Sequence, residues 1–426
     1  MHFDDVPLYG EFDVVVAGGG TAGFAAAAAA AKDGAKTLVV EEKACLGGTS
    51  TGGMISQFMG FASGETNETQ TGVFGEVLRR LIRENASGGI ETIYLTGLKE
   101  MDVGAASYDA RVLKNVMDRM LSESGAKVLF HTKVIGLSMR EKRLDYLVVH
   151  NIQGLQKVRA RTFIDATFHG SVAVDAGCPW IAGDDRGTLQ PGTLMYKMDG
   201  VNMAEYAKVP QDQRRALAAK GIEQGRMFVN NLLARSLPDG TVFSNMSRVS
   251  ANPLDAGLLS EGEIAARKQV DDIGRFFREE VPGFADARIV ATGDFMGLRD
   301  SRRILGQYVL KKEDIVEGTE FPDAVASSSY PIDIHDANGI SSTLIKPKSG
   351  MFHVPFRCLV GDVENLVVAG RCISADCEAH ACIRVMVTCF RTGEAAGIAA
   401  AESVSRNKNV NGLEGRLIRE KLRHVR

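Results

Sequence analysis

The sequence lacks the features that mark several large classes of protein. Its seven cysteines are an odd number without a Cys-x-x-Cys pair, which argues against a disulfide framework. No apolar run is long enough to span a bilayer, and residues 1–13 are acidic without the apolar core of a signal peptide. A formal net charge of −3 gives no reason to expect nucleic acid or an acidic membrane surface as a partner. The composition therefore predicts a cytoplasmic protein with neither partner.

The cysteines that cluster late in the chain do not have the spacing of a metal site. They are Cys372, Cys377, Cys382 and Cys389. This spacing matches no standard ligand run for an iron–sulfur cluster. The neighbouring residues are small, as in a helix that packs cysteine well. The sequence therefore predicts no bound metal.

A stretch near the N-terminus has strand, glycine turn and helix in the order typical of dinucleotide binding. Its parts are an apolar strand at 13–17, the glycines Gly18, Gly20 and Gly23, an alanine helix at 25–31, a second strand at 36–40, and Glu41. Gly20 lets the backbone approach a pyrophosphate, and the helix N-terminus offers free N–H groups to the phosphates. Glu41 is placed to accept hydrogen bonds from an adenosine ribose. This stretch predicts a dinucleotide site.

A second glycine-rich segment, residues 47–53, follows the second strand. Glycine at this density indicates backbone that lies close to something flat or bulky. A flexible surface loop is the alternative interpretation. In the first interpretation the segment runs along the bound dinucleotide.

The next part of the chain continues to alternate helices and strands. The predicted elements are helices at 72–85 and 107–122, a strand at 126–132 that joins the first sheet, an antiparallel pair at 143–150 and 155–160, and a further strand at 160–167.

From residue 178 to 348 this alternation stops, which indicates an inserted domain. Within it, the sequence Ser-Glu-Gly-Glu at 260–263 predicts a capping box that opens a helix, with Ile264 on the buried side. Residues 366–369 predict a buried strand that returns to the first domain. Residues 384–401 predict a long helix with small residues on one face.

Three segments carry a resemblance to a known family. They are Asp165-Ala166-Thr167 with Gly170, residues 297–306 (GLRDSRRILG), and residues 365–375 (NLVVAGRCISA) followed by Arg384 and residues 393–397 (GEAAG). In this order they resemble the FAD-dependent oxidoreductase family, with a glutathione-reductase-type FAD fold. Phe168 and His169 depart from the pattern, because the family more often has Gly-Asp there.

The resemblance implies an α/β fold with two domains. The expected architecture is a Rossmann-like FAD-binding domain, three-layered with a parallel sheet, formed by residues 1–177 and 349–426, with an inserted α+β substrate domain at 178–348. Disulfide reductases of this broad group carry a redox cysteine pair after such a Gly-Gly. Here Ser50 and Ile55 occupy those positions, so thiol–disulfide chemistry is not expected.

The resemblance also implies FAD as the cofactor and places a set of residues against it. These residues are Gly18, Gly20, Thr21, Ala22, Gly23, Glu41, Glu42, Lys43, Gly47, Gly48, Thr49, Val134, Ala166, Thr167, Gly370, Arg371, Arg384 and Val385. The long helix after Arg384 is expected to point its N-terminus at the flavin pyrimidine ring, where its partial positive charge stabilises the anionic reduced flavin.

The chain contains one βαβ fingerprint, which indicates that a dedicated NAD(P)H domain is absent. The sequence therefore predicts an oxidoreductase that oxidises a small organic molecule by hydride transfer to flavin N5. A separate electron acceptor then reoxidises the flavin, and homo-oligomerisation is left open. Two alternatives also stay open: a NAD-dependent dehydrogenase, and a protein that uses FAD in a redox-neutral or structural role.

The candidate catalytic residues lie in the insert. They are His335, Arg299, Arg302 and Tyr330. Oxidation of a C–H bond beside oxygen or nitrogen needs a base and a group that holds the resulting anion. His335 lies beside Asp333 and Asp336, as a base oriented by a carboxylate does. Local hydrogen bonding within the loop is the alternative role for this histidine.

A structural role explains the three arginines and His353 as well as a catalytic role does. Arginine suits a substrate contact because its charge persists and its fork holds a carboxylate or polarises a hydroxyl. Three arginines within five residues also suit salt bridges to Asp294 and Asp300. His353 precedes an apolar stretch and is as well explained by a satisfied core position.

Overall fold

The computed structural model describes residues 5–61, 65–95, 101–335 and 342–422. The strands in these ranges are β1 Leu8–Ala17, β2 Thr37–Val40, β3 Gln57–Phe61, β4 Glu91–Tyr94, β5 Asp102–Ser107, β6 Lys127–Leu129, β7 Lys133–Arg140, β8 Arg143–Asn151, β9 Gly154–Asp165, β10 Trp180–Ala182, β11 Tyr196–Asp199, β12 Arg235–Ser236, β13 Val242–Ser244, β14 Arg288–Thr292, β15 Arg302–Ile304, β16 Ala324–Ser328, β17 Ile332–His335, β18 Ser342–Ile345, β19 Phe352–Pro355 and β20 Leu366–Val368.

Helices connect these strands and cover the sheet. They are α1 Thr21–Lys32, α2 Gly72–Arg83, α3 Ala110–Ser124, α4 Ser171–Asp175, α5 Met203–Tyr206, α6 Gln211–Glu223, α7 Ala256–Glu280, α8 Lys312–Glu317, α9 Cys377–Ile383, α10 Met386–Arg406 and α11 Gly415–Lys421. Among the described helices, none is both long and apolar enough to cross a membrane.

The central sheet has the strand order β6-β2-β1-β9-β8-β7, with β20 also paired to β9. Strand β1 runs parallel to β2 and β9, and β6 and β20 extend this parallel arrangement. Strands β7 and β8 add an antiparallel edge. The predicted α/β class with a mainly parallel sheet is confirmed, as is the placing of the strand near 126–132 beside β2.

Strand β9 corrects one expectation. The sequence analysis divided residues 155–160 and 160–167 into two strands, but residues 154–165 form one continuous strand. Its first half pairs with β8 and is partly exposed, whereas its last residues pair with β20 and are buried. The change from polar to apolar residues therefore marks the point at which the pairing of β9 changes from β8 to β20.

Helices α1 and α10 pack with their backbones in close contact. A Cβ atom added at Gly393 would lie 2.1 Å from the Ala22 carbonyl oxygen, and one at Gly397 would lie 2.1 Å from the Ala26 carbonyl oxygen. Only glycine allows this approach. The small-residue face predicted for the late helix is confirmed, although the helix begins at Met386 rather than at residue 384.

The insert has an apolar core of its own. Buried residues between Leu194 and Met296 form this second cluster, which includes Val270, Ile273 and Phe277 from α7. Buried residues from Ile304 to Val363 belong instead to the larger core of the FAD-binding region. The domain boundaries at 177/178 and 348/349 stay predictions.

The start of α7 differs from the predicted capping box. The helix begins at Ala256, and the Asp255 carboxylate caps it by accepting a hydrogen bond from the Leu258 N–H at 2.9 Å. Ser260 lies within the helix, where its hydroxyl donates to the Ala256 carbonyl. Ile264 is 65% exposed, so its predicted burial is wrong. Ile264 lies six residues before Val270, a spacing that places it off the helix face formed by the buried residues Val270, Ile273 and Phe277.

Candidate functional site

The glycine turn between β1 and α1 leaves open space at one position only. Gly18 has a φ of +90°, and a Cβ there would lie 2.7 Å from the Ala166 carbonyl oxygen. A Cβ at Gly23 would lie 1.8 Å from the Gly18 carbonyl oxygen. A Cβ at Gly20 would meet no atom within 4 Å. Gly18 and Gly23 are thus required by packing, while Gly20 faces room for a pyrophosphate at the N-terminus of α1.

Glu41 closes this turn from the end of β2. It is 6% exposed, and its carboxylate accepts the N–H groups of Gly19 at 2.6 Å and Lys43 at 2.8 Å. Burial raises the pKa of Glu41, and the two backbone hydrogen bonds oppose that shift. Each carboxylate oxygen can accept more than one hydrogen bond, so the predicted ribose contact stays compatible with this geometry.

The glycine segment at 47–53 lies on top of the turn. The Gly47 N–H donates to the Gly19 carbonyl at 2.8 Å, and Gly20 and Gly47 form a parallel bridge. Gly47 and Gly48 both have positive φ angles, and Thr49 accepts the Ile55 N–H at 3.0 Å. The segment is therefore held by backbone hydrogen bonds, as the cofactor interpretation expects and a free surface loop does not.

The adenine side of the predicted cofactor path is more open. Glu42 and Lys43 line a shallow groove together with groups on β7 and β8, including Lys133 and His150. Val134 follows Lys133 on β7. The Lys43 ammonium also lies 4.0 Å from the centre of the Phe295 ring, which belongs to the insert.

At the end of β9, a buried aspartate organises the segment that resembles the flavoprotein pattern. The Asp165 carboxylate accepts the Thr167 N–H and hydroxyl at 3.0 and 2.7 Å, and the Ala173 N–H at 2.9 Å. Burial raises the pKa of Asp165, against these hydrogen bonds. Thr167 is therefore fixed beside Ala166, which itself contacts Gly18.

Phe168 and His169, which depart from the family pattern, have defined positions. Phe168 has a φ of +64°, in the region that glycine favours, and its ring lies 3.6 Å from the Arg371 guanidinium. His169 Nδ1 lies 2.7 Å from the Ser301 hydroxyl. Burial, with the Arg371 charge, lowers the pKa of His169 to about 4. The pair thus joins the FAD-binding region to the insert.

Arg371 makes the same connection from the turn after β20. Gly370 has a φ of +81° and donates its N–H to the Thr392 hydroxyl at 3.2 Å. Arg371 Nη1 donates to the Leu298 carbonyl at 2.7 Å. Burial lowers the pKa of Arg371 to about 10.

The start of α10 carries buried polar atoms without a partner. Val385 is the N-cap residue, and no side chain caps the helix. Arg384 Nη2 donates to the Asp333 carbonyl at 2.8 Å. Arg384 Nη1 and Thr388 Oγ1 are buried and have no hydrogen-bond partner among the described residues. These donors and the free helix N-terminus lie where the resemblance places the flavin, so the residues present fit the cofactor.

Comparison with known families decides the question of cofactor. A family model described as FAD dependent oxidoreductase matches residues 13–422. The chain belongs to this family. FAD is therefore the cofactor of this oxidoreductase, and the sequence resemblance is confirmed at the level of the family.

Solved structures share the fold of this oxidoreductase at low sequence identity. The geranylgeranyl bacteriochlorophyll reductase-like protein Ta0516 from Thermoplasma acidophilum has a TM-score of 0.51 and 14% identity, over 96% of this chain and 82% of that chain. BexE, studied for oxidation during BE-7585A biosynthesis, has a TM-score of 0.50 and 14% identity, over 93% of this chain and 63% of that chain. A search of curated proteins gives no match.

A cavity of about 520 Å³ lies between the insert and the small sheet formed by β3, β4 and β5. Its apolar lining comes from Ile55, Met59, Ile93, Leu95, Met195, Val229, Leu232, Leu233, Ala234, Phe243 and Leu344. This volume and lining are typical of a small-molecule site. Two hydrogen bonds join it to the predicted FAD path. The Ile55 N–H donates to the Thr49 carbonyl, and Arg384 Nη2 donates to the Asp333 carbonyl.

Three polar side chains on one wall of the cavity form a connected group. The Tyr330 hydroxyl donates to Asp333 Oδ2 at 3.0 Å, and His335 Nε2 lies 3.4 Å from the same oxygen. Gln190 accepts the His335 backbone N–H at 3.2 Å. Asp333 and His335 come from β17, and Tyr330 lies two residues before this strand begins. The structure thus joins two of the predicted catalytic residues through Asp333, while Asp336 lies outside the described residues.

Burial and neighbouring charges set the protonation states of this group. Burial, with the Arg299 charge, lowers the pKa of His335 to about 4, although Asp333 opposes the shift. Burial alone would raise the pKa of Asp333, but His335, Arg384 and Arg299 hold it well below its usual range. Burial and the Asp333 charge raise the pKa of Tyr330 well above its ordinary value. At neutral pH the group therefore consists of a neutral imidazole, a carboxylate and a phenol.

Arg299 lies beside this group, and a second arginine lines the cavity. Arg299 Nη1 donates to the Pro191 carbonyl at 2.6 Å and to the Thr193 hydroxyl at 2.8 Å. Arg248 Nη1 donates to the same hydroxyl at 2.9 Å. Burial lowers the pKa of Arg248 to about 10, and the Asp333 charge opposes the shift. Arg248 could not be recognised from the sequence, because no motif marks it and it reaches the cavity through tertiary packing alone.

The remaining candidates lie apart from the cavity lining. The Arg302 guanidinium lies 5.2 Å from the centre of the Trp180 ring, in the β10–β15 pair. Arg303 is buried in hydrogen bonds to Asp300 and to the backbone of Gly183 and Ala375, which is the structural role considered for it. His353 lies on β19, paired with β16. A catalytic role for Arg302 stays a prediction that its position does not favour.

Other side chains give no sign of a second reactive centre within the described ranges. All seven cysteines are free thiols. Burial raises the pKa of Cys372 and Cys382 well above the ordinary value, which keeps these thiols protonated and inert. Among the described residues, no group of three His, Cys, Asp or Glu side chains converges as a metal site.

Proposed function

We propose that this FAD-dependent oxidoreductase oxidises a small organic substrate bound in the 520 Å³ cavity. The observation that carries the proposal is the group Tyr330–Asp333–His335 on the cavity wall, in which the Asp333 carbonyl accepts a hydrogen bond from the Arg384 side chain. A perturbed acid–base group in a concave apolar site is what general acid–base chemistry requires.

His335 acts as the base in this proposal. Its pKa of about 4 keeps the imidazole neutral at pH 7, so it is ready to accept a proton. Asp333 favours the tautomer with hydrogen on Nε2, which leaves Nδ1 as the accepting atom. The Tyr330 phenol, protonated at this pH, donates to the same carboxylate oxygen of Asp333. Asp333 is thus a positioning residue for the histidine.

The oxidation removes two electrons and two hydrogen atoms from the substrate. A hydride leaves the C–H carbon, and His335 takes the proton from an O–H or N–H group on the neighbouring atom. A double bond forms between the two substrate atoms. The Arg299 guanidinium, whose charge acts on both Asp333 and His335, stabilises the negative charge that develops as the proton leaves.

The residues that would hold FAD are those of the fingerprint turn, the 47–53 segment, and the turns at Gly370 and Arg384. We propose that they do so in the manner of the glutathione-reductase-type fold. Bound there, FAD supplies the hydride acceptor, and a separate acceptor later takes the electrons. The absence of a second βαβ fingerprint from the sequence supports a separate acceptor over NAD(P)H.

An anaerobic screen tests this function. The holoenzyme is mixed with alcohols, amines and 2-hydroxy acids, and loss of the oxidised flavin absorbance identifies a substrate. His335→Gln is then expected to keep its FAD and to reduce it about 10²- to 10⁴-fold more slowly, as for loss of a positioned base. His353→Gln is the matched control, because it removes a partly buried histidine outside the cavity.

The outcomes separate the alternatives. If no compound bleaches the flavin, the redox-neutral or structural role of FAD is favoured. If NADH or NADPH bleaches it rapidly, the protein is a reductase and the proposed direction is wrong. If His335→Gln and His353→Gln behave alike, the base has been assigned to the wrong residue.

A further inference from the structure

The cavity carries a second group of charges, separate from Tyr330, Asp333 and His335. Arg214 and Arg235 both line it, on α6 and β12 of the insert. Tyr206 lies near both: Arg214 stacks on its ring at 4.2 Å, and burial raises the pKa of its hydroxyl while both guanidinium charges oppose the shift. Two like charges therefore share one part of the cavity.

These two arginines have unused hydrogen-bonding capacity. Arg214 Nη2 donates to the Tyr206 carbonyl at 3.0 Å, but its buried Nε has no partner among the described residues. In the part of the chain that the structure describes, the Arg235 guanidinium makes no hydrogen bond or ion pair. Burial lowers the pKa of Arg235, and the Glu91 charge opposes the shift. Guanidinium groups removed from water are costly unless an anion pairs with them.

The surroundings define the chemistry that would satisfy them. The side chains of Asn230 and Asn231 add hydrogen-bonding groups to the same lining, and Phe243 and Leu232 supply apolar wall. Glu91 is the one carboxylate of the lining besides Asp333. Asp333 is already shared by Tyr330 and His335.

We propose that Arg214 and Arg235 form an anion-binding subsite, and that the substrate has an apolar body with a carboxylate or similar anionic group. The inference rests on the proposed function only in identifying the bound molecule as the substrate. The subsite holds the anionic group, and the apolar lining holds the body, so the reacting bond is presented to His335 by a fixed anchor. Arginine gives such an anchor because its fork pairs with a carboxylate through two hydrogen bonds.

Calorimetric titration of the holoenzyme with three eight-carbon probes tests the subsite without turnover. Octanoate, 1-octanol and octylamine share the apolar body and differ in the charge of one end. Octanoate is expected to bind most tightly. Arg235→Met and Arg214→Met are each expected to weaken octanoate about 10- to 100-fold, as for loss of a charge-assisted hydrogen bond, and to leave 1-octanol unchanged.

Two further variants make the result specific. Arg215→Met is the control, because Arg215 is exposed, lies next to Arg214, and is absent from the cavity lining. Glu91→Gln removes the competing carboxylate and is expected to tighten octanoate binding, which decides the matter even where an arginine variant fails to fold. Equal binding of octanoate and 1-octanol by the wild-type protein, or no octanoate binding, overturns the subsite.

The test also distinguishes this subsite from the proposed oxidation. His335→Gln is expected to bind octanoate as the wild-type protein does. A protein that binds octanoate through Arg235 but whose flavin no substrate reduces retains the subsite and loses the proposed function. A protein whose flavin is reduced by neutral substrates, with no effect of Arg235→Met, retains the function and loses the subsite.

Discussion

The fingerprint region and the cavity wall of the insert differ in how closely their parts are packed. Around α1 and α10, glycines bring backbones into contact, and a Cβ at Gly393 or Gly397 would lie 2.1 Å from a carbonyl oxygen. Around the cavity, side chains stand apart, and Arg214 and Arg248 keep buried nitrogens without partners. In the first region, packing permits only one arrangement of the two helices. In the second, buried polar groups lack hydrogen-bond partners that a bound molecule would supply.

The difference predicts which positions of the chain tolerate a substitution. Close backbone contact leaves no room for an added carbon atom. A cavity wall leaves room for the change but depends on the chemistry of the group that is lost. Four measurements, from the largest expected effect to the smallest, would break or sharpen this contrast.

The largest effect is expected from Gly20→Val. Because a Cβ at this position meets no protein atom within 4 Å, the variant should fold, but its side chain fills the space of the pyrophosphate. Purified protein should contain no FAD while keeping the circular dichroism of the wild type. Gly88→Val is the matched control, since a Cβ there also meets nothing, and it should keep full FAD. Full flavin content in folded Gly20→Val would falsify the fingerprint assignment.

The next effect is the pH dependence of flavin reduction. His335 must be neutral to act as a base, and its pKa is lowered from 6.5 to about 4. The rate should therefore be level at neutral pH and fall about tenfold per pH unit below 4. Single-turnover flavin reduction across pH measures this limb, which should vanish in His335→Gln. A limb near pH 6.5 would instead indicate an ordinary solvated histidine.

A smaller effect is expected on stability from Gly397→Ala. The added methyl group would lie 2.1 Å from the Ala26 carbonyl oxygen, so α1 and α10 must separate. Overpacking of this kind costs about 1–3 kcal/mol in the free energy of unfolding. Gly257→Ala, in the first turn of α7, places its Cβ against Asp255 Oδ1 alone and should change stability by less than about 0.5 kcal/mol. Equal denaturation midpoints for the two variants would remove the contrast between the regions.

The smallest effect concerns the start of α7. Asp255→Ala removes the side chain that accepts the Leu258 N–H and should destabilise the protein by about 1 kcal/mol. Ser260→Ala removes only a hydroxyl bonded within the helix and should be nearly neutral. Thermal unfolding of both variants measures the difference. A larger loss in Ser260→Ala would restore the capping box that the sequence suggested.

The cofactor region could be predicted from the sequence because its constraints are local. Gly18, Gly20 and Gly23 fall within six residues, and the strand and helix around them follow from apolar spacing. The sequence also predicted the small-residue face of the late helix. It did not reveal that Gly393 meets Ala22, since nothing local indicates which two helices will touch.

The residues of the cavity could be predicted from the sequence only in part. Tyr330 and His335 were recognised because they lie together in one polar segment with Asp333. Arg248, Arg214 and Arg235 come from separate elements, and no spacing connects them to that segment. Arg302 was grouped with Arg299 by sequence, but it begins strand β15, where its guanidinium lies over the Trp180 ring of the paired strand β10. Proximity in sequence is thus a poor guide wherever side chains from distant elements share a wall.

The contact between α1 and α10 also has a consequence for the order in which the protein is made. The residues of α1 from Thr21 to Ala30 are buried, and α10 provides much of that cover from more than 360 positions later. Strand β20 likewise completes the pairing of β9 only near residue 368. On the ribosome, the fingerprint therefore emerges long before its covering helix exists. The turns at Gly370 and Arg384 also come late in the chain, so the residues expected to hold FAD are complete only after almost the whole described chain has been synthesised.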